Sequence, residues 1–97
     1  MTYHYHDENI VKSLPENTVF VFGSNLAGQH SAGAARTALE HFGAVMGVGR
    51  GWSGQSYAIP TMNEHLQQMP LSQIQHYIDD FKIYTKNHSK NKYFITS

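Results

Sequence analysis

Val19-Phe20-Val21-Phe22-Gly23-Ser24-Asn25-Leu26-Ala27-Gly28-Gln29-His30-Ser31-Ala32-Gly33-Ala34-Ala35-Arg36 is the stretch whose reading decides the fold. Residues 19–22 form an unbroken run of apolar β-formers, the pattern of a strand buried on both faces. The run breaks at Gly23-Ser24-Asn25, residues that tolerate positive φ and bond their own backbone. After a loop carrying Gly28, Ser31 is placed to cap a helix over 32–42, with Gly43 as its C′ residue. A strand, a glycine-bearing loop and a helix start made of Ala32, Gly33, Ala34 and Ala35 bring bare backbone N–H groups together. Such a corner suits an anion, because unpaired amides and the helix dipole both favour negative charge there.

Two phosphate-loop motifs fail on inspection. Gly23 and Gly28 have the glycine spacing of a Walker A loop, but Gln29 and His30 stand where its Lys and Ser/Thr belong. Without that Lys there is no point charge for the terminal phosphates, which excludes an NTPase of this class. Gly49-Arg50-Gly51-Trp52-Ser53-Gly54 fits G-x-G-x-x-G letter for letter. A strand-like run, 56–61, follows where a dinucleotide-binding turn must open a helix. The segment is therefore expected to be a flexible glycine loop.

Moving outward, residues 3–6 (Tyr-His-Tyr-His) alternate like an edge strand, with His4 and His6 on one face at a spacing two metal ligands use. No Cys and no nearby third His joins them, so an exposed polar face is the expected reading. Asp7, Glu8 and Asn9 are expected to start a short helix through Ile10, Val11 and Leu14, and 15–17 the turn into the first buried strand. On the 32–42 helix, Ala32, Ala35, Leu39 and Phe42 make an apolar stripe, and Arg36 and Glu40 an exposed i,i+4 pair. The segment 43–54 holds five glycines, with Arg50 and Trp52 at its tip. A lone Trp beside an Arg suits a binding anchor, and equally a ring folded back over the core.

The run 56–61 reads as a second buried strand ended by Pro60, and Pro70 is set to open a last helix over 71–87. Its stripe is Leu71, Ile74, Ile78, Phe81 and Thr85, broadened by Tyr77 and Tyr84. Asp79 and Asp80 point about 100° apart and so do not share one substrate atom. A third strand, 93–96, follows. The expected fold class is α/β: a single small domain with a β-α-β-α-β core, a mostly parallel sheet of 19–22, 56–59 and 93–96, and helices packed on it. Ligands on such sheets sit beyond the carboxyl ends of the strands.

Composition bounds the rest. Ninety-seven residues with seven basic and seven acidic side chains carry no global field toward nucleic acid or membrane. All seven acids lie at or before Asp80, while Lys82, Lys86, Lys90 and Lys92 crowd the C-terminal stretch. The absence of Cys offers no disulfide framework, and no apolar run approaches the length of a membrane span. A soluble, intracellular protein is the expectation.

Residues 20–30 with 32–35, then Phe42-Gly43-Ala44-Val45 and Gly54-Gln55-Ser56-Tyr57-Ala58-Ile59-Pro60-Thr61, resemble the phage-related branch of macro-domain-like proteins. Macro domains bind ADP-ribose, and some hydrolyse it from substrates. The resemblance implies that Asn25 meets the distal ribose and that the 28–35 loop and helix start cradle a diphosphate. Ser24, Asn25, Gly28, Ala32, Gly33 and Ala34 are then the ligand-binding candidates. Ser31 stands where that branch usually has a glycine. Relatives also continue past a strand like 94–96 into a second glycine loop, whereas this sequence stops at Ser97. Half a phosphate clamp implies weak ligand binding and no catalysis, with no cofactor or metal.

The truncated pattern also resembles the anti-CRISPR proteins, among them inhibitors of the type I-F surveillance complex. That likeness implies the host cytoplasm, and binding near the Cas8f and Cas7f subunits where double-stranded DNA enters. Asp7, Glu8, Glu64, Asp79 and Asp80 would stand in for phosphates, with Arg50 and Trp52 as further partner contacts. The expected function is thus a DNA-competing inhibitor of a host ribonucleoprotein that binds no DNA itself. An ADP-ribose-binding or ADP-ribosyl-hydrolysing module is the alternative.

Overall fold

The computed structural model describes residues 2–4 and 11–96. Five strands and two helices follow in the order β1 (Thr2–His4), β2 (Thr18–Asn25), α1 (Gly33–His41), β3 (Gly51–Ser53), β4 (Ser56–Met62), α2 (Leu71–Asn87) and β5 (Lys92–Ile95). They form one sheet ordered β1-β5-β2-β4-β3. The first four of these strands are mutually parallel, and β3 alone runs antiparallel, against β4. The α/β class, the parallel core and both main helices stand as expected from the sequence.

β2 lies at the centre with a partner on each side, which is why its apolar run does not alternate with polar residues. Phe20 and Phe22 point to the α1 face, where they cluster with Ala38, Phe42, Ala58 and Phe94. Phe20 stacks on Phe42 at 4.5 Å and on Phe94 at 5.4 Å between ring centroids. Val19 and Val21 point to the other face, joining Tyr57 and Tyr93 beneath Phe81 and Tyr84 of α2. One helix therefore covers each face. The chain crosses from β2 to β4 over one face and returns from β4 past β2 to β5 over the other.

Several local expectations are corrected. The segment 49–54 is not a free glycine loop, because residues 51–53 pair with β4, Trp52 opposite Tyr57. Gly54 at φ 58° opens a two-residue turn between Ser53 and Ser56, the arrangement of a type II′ hairpin. β4 does not end at Pro60 but runs to Met62. The missing N–H is tolerated because β3 pairs no further than Ala58, leaving that edge open. Leu71 leaves the expected α2 stripe and is 83% exposed, whereas Ile74 in the same turn is buried. On α1 the buried residues are Thr37 and Ala38, rather than the expected Ala32 and Leu39. The expected helix at 7–14 falls partly outside the described residues. Its described part is irregular, with Val11 and Leu14 packed on the α1-side core.

The α2 face makes the fold sensitive to alkali. Burial raises the Tyr57, Tyr84 and Tyr93 phenols above their ordinary value. A raised acid contributes stability that is complete below its unfolded pKa, about 10 for tyrosine, and lost as pH climbs through the folded value. Urea unfolding midpoints should therefore hold steady from about pH 8 to the tyrosine range near 10 and fall above it. A midpoint unchanged well above that range would contradict this packing.

Candidate functional site

The carboxyl ends of β2 and β4 lie side by side where the two crossovers diverge, the position at which open α/β sheets hold ligands. The pairing shifts register between Ser24 and Asn25, so Asn25 stands opposite Met62. Leu26 N–H then donates to the Met62 carbonyl at 3.0 Å. Asn25 next closes the turn with its side chain. Its Nδ2 donates to the Gln29 carbonyl at 3.0 Å, and the Gln29 N–H donates to its Oδ1 at 2.9 Å. Buried and doubly engaged, Asn25 shapes the loop; a ribose contact would have to compete with those bonds.

A second loop, 44–49, is clamped onto this turn. Ser24 Oγ donates to the Gly49 carbonyl. Gly47 N–H donates to the Gly28 carbonyl at 2.9 Å. The fully buried His30 donates through Nε2 to the Val48 carbonyl at 3.0 Å and packs edge-on against Phe22 at 5.3 Å. Two glycines permit the approach. A Cβ on Gly28 would collide with the backbone of Gly47 and Val48, and one on Gly49 with the Asn25 carbonyl. Gly28 also sits at φ 70°, where other residues are strained. Its place in the sequence suggested a phosphate cradle; in the fold it is the seat of the neighbouring loop.

The start of α1 opens beside this scaffold. Ser31 does not cap it: the N-cap is Ala32, at φ −154° and ψ 162°, and no side-chain cap hydrogen bond forms there among the described residues. Gly33 enters the helix at φ 62°. The amides of the first turn are therefore left without a side-chain cap, at the positive end of the helix. Against them lies a crevice of about 320 Å³ lined by Gly23, Ser24, Asn25, Gln29, Ser31, Ala32, Ala35, Met62 and Leu66. No carboxylate, imidazole, thiol or basic side chain lines it among the described residues.

Two lining residues escaped the sequence reading: Met62 and Leu66. Leu66 is held at φ 61° by Asn63, whose Oδ1 accepts from the N–H groups of His65 at 2.8 Å and Gln67 at 3.0 Å. Asn at the head of a polar connection is the signal that marked this brace. A leucine in the left-handed region costs about 1–2 kcal/mol and marks the turn as over-determined by its surroundings.

The acidic candidates are dispersed. Asp80 pairs with Arg50 at 3.0 Å, and the same guanidinium lies 5.1 Å from the Tyr77 ring centroid. Both partners are about half exposed, so the pair contributes little to stability. Asp79 accepts from Gln75 Nε2 at 2.9 Å. Glu64 lies 3.7 Å from His65 Nε2. Trp52, 58% exposed, does not fold back over the core. Asp7 and Glu8 lie outside the described residues, as do His6 and the His4 side chain. Among the described residues no three His, Asp or Glu side chains gather as a metal set, and no helix is long and apolar enough to cross a membrane.

No family model, no curated protein and no solved structure matches this chain.

Proposed function

We propose that the protein is a binding module for ADP-ribose or a closely related ribose diphosphate, held in the crevice between the carboxyl ends of β2 and β4. The observation that carries this reading is the uncapped start of α1 opening on that crevice at the point where the crossovers diverge. Backbone amides and the helix dipole supply the attraction for a diphosphate, in the absence of any lining Lys or Arg. Met62 and Leu66 offer an apolar wall for a ribose or base, and Gln29 and Ser31 offer hydrogen bonds. The lining holds no general acid or base, so the reading is of binding and not of hydrolysis.

Calorimetric titration with ADP-ribose tests it, using Ser31→Asp as the informative variant. An acid beside an uncapped helix start stabilises the helix by about 0.3–1 kcal/mol, yet repels a bound anion. The variant should unfold no lower than the parent and bind ADP-ribose about tenfold more weakly or worse. Equal affinity in both proteins would remove the diphosphate from this site.

A second reading, inhibition of a type I-F CRISPR complex near Cas8f and Cas7f, draws on the exposed Trp52 and the exposed Asp79 and Asp80. It requires Asp80 to exchange Arg50 for a partner's basic group. Charge reversal at Asp79 and Asp80 and added salt should both weaken capture of that complex, whereas binding indifferent to both would exclude phosphate mimicry.

A further inference from the structure

A second concavity, which the proposed site leaves unused, lies at the opposite, amino end of the sheet. It encloses about 440 Å³ between the turn entering β2, the β3–β4 hairpin and the end of α2. Trp52, Tyr84 and His88 supply its aromatic lining, and Glu16 its carboxylate; among the described residues no Lys or Arg lines it. Tyr84 and His88 stack at 4.1 Å with 19° between their rings. Tyr84 is further held by Tyr57 at 4.9 Å, so this wall is built in advance of any ligand. His88 Nδ1 lies 2.9 Å from the Tyr84 carbonyl, and since a carbonyl only accepts, the proton is on Nδ1. In the neutral ring this leaves Nε2 as an acceptor. Gln55 is similarly committed: its Nε2 donates to the carbonyls of Leu14 and Pro15, leaving its Oε1 as the acceptor.

We propose that this cleft binds a guanidinium group, stacked on Trp52 and paired with Glu16. Electron-rich rings, a carboxylate and neutral acceptors without a competing lining cation are the complement of a planar cation with five N–H donors. The molecule uses the same pairing internally, where Arg50 lies over Tyr77 and bonds Asp80. The guanidinium comes either from free arginine or from an arginine side chain on a partner polypeptide. The site shares no lining residue with the ADP-ribose crevice and does not depend on that reading.

Trp52 is the only tryptophan, so its emission reports occupancy directly. The full chain is titrated with free arginine, with an acetylated and amidated Gly-Arg-Gly tripeptide, and with the same tripeptide carrying citrulline, which keeps the shape without the charge. Saturable change with an arginine probe and about fivefold or weaker binding of the citrulline peptide are expected. Glu16→Gln, a change at an exposed turn, should weaken the arginine probe about threefold to tenfold while leaving unfolding unchanged. Tighter binding of the tripeptide than of free arginine identifies a polypeptide source; the reverse order identifies the amino acid. Equal response to arginine and citrulline, non-saturating quenching, or indifference to Glu16→Gln would each overturn the proposal.

Discussion

Phe20→Ala is expected to lower stability by about 3–5 kcal/mol, the range for emptying a fully buried aromatic site. Phe20 is 0% exposed at the centre of the central strand, between Phe42 of the chain after α1 and Phe94 of β5. Its removal deletes two ring stacks and leaves a cavity that neighbours on three elements cannot all fill. Domains of this size hold about 5–15 kcal/mol in total, so the variant should be marginally folded. Urea unfolding reads the effect as a lower midpoint at nearly constant slope. Ile83→Ala, on the outer face of α2 and 59% exposed, serves as the contrast and should shift stability by no more than about 0.5 kcal/mol. Similar small losses for both would mean that the aromatic cluster is not the core.

Gly49→Ala should be nearly as damaging, for a different reason. Gly49 is buried, and its added Cβ meets the Asn25 carbonyl and approaches the Gly28 backbone N at 3.1 Å. The obstacle is main chain on both sides, so relief requires the 44–49 loop to lift from the 24–30 turn. That breaks the Ser24 and His30 bonds to the loop. Overpacking of this kind costs about 1–3 kcal/mol, and the lost buried hydrogen bonds add to it. Gly28→Ala combines the same collision with a left-handed backbone. Gly47→Ala is the control: its φ is 90° but no atom lies within 4 Å of the added Cβ. It should cost only the conformational term, about 1–2 kcal/mol. Thermal unfolding with ADP-ribose titration separates the cases, since Gly49→Ala should weaken the ligand as well as the fold. A Gly49→Ala protein as stable as Gly47→Ala would show that the two loops are not in the contact described.

These glycines mark the limit of what was legible in the chain. The run through Phe22 announced a strand covered on both faces, and the α2 spacing announced its helix, because local periodicity carries those signals. The hairpin at 51–56 escaped, since a three-residue strand inside a glycine-rich segment shows no alternation. Its one signal was Gly54 at the first turn position between two serines. Leu71 misled because periodicity finds the face of a helix and not how far along the helix that face is covered.

At the site, Ser24, Asn25 and Gly28 were legible as special positions, but their tasks were not. Ser24 and Gly49 are separated by 25 residues, and only the folded chain brings them together. Ser31 looked like the cap, and the backbone passes one residue further before the helix begins. That displacement leaves the first-turn amides uncapped, which is the feature the functional proposal rests on.

Amide-resolved NMR during titration with ADP-ribose tests that proposal most directly. Saturable shifts confined to the 23–35 segment and to 62–66 are expected, with the Gly33, Ala34 and Ala35 amides moving most. Absence of saturable shifts, or shifts gathered instead at the opposite end of the sheet around Trp52 and Tyr84, would contradict it.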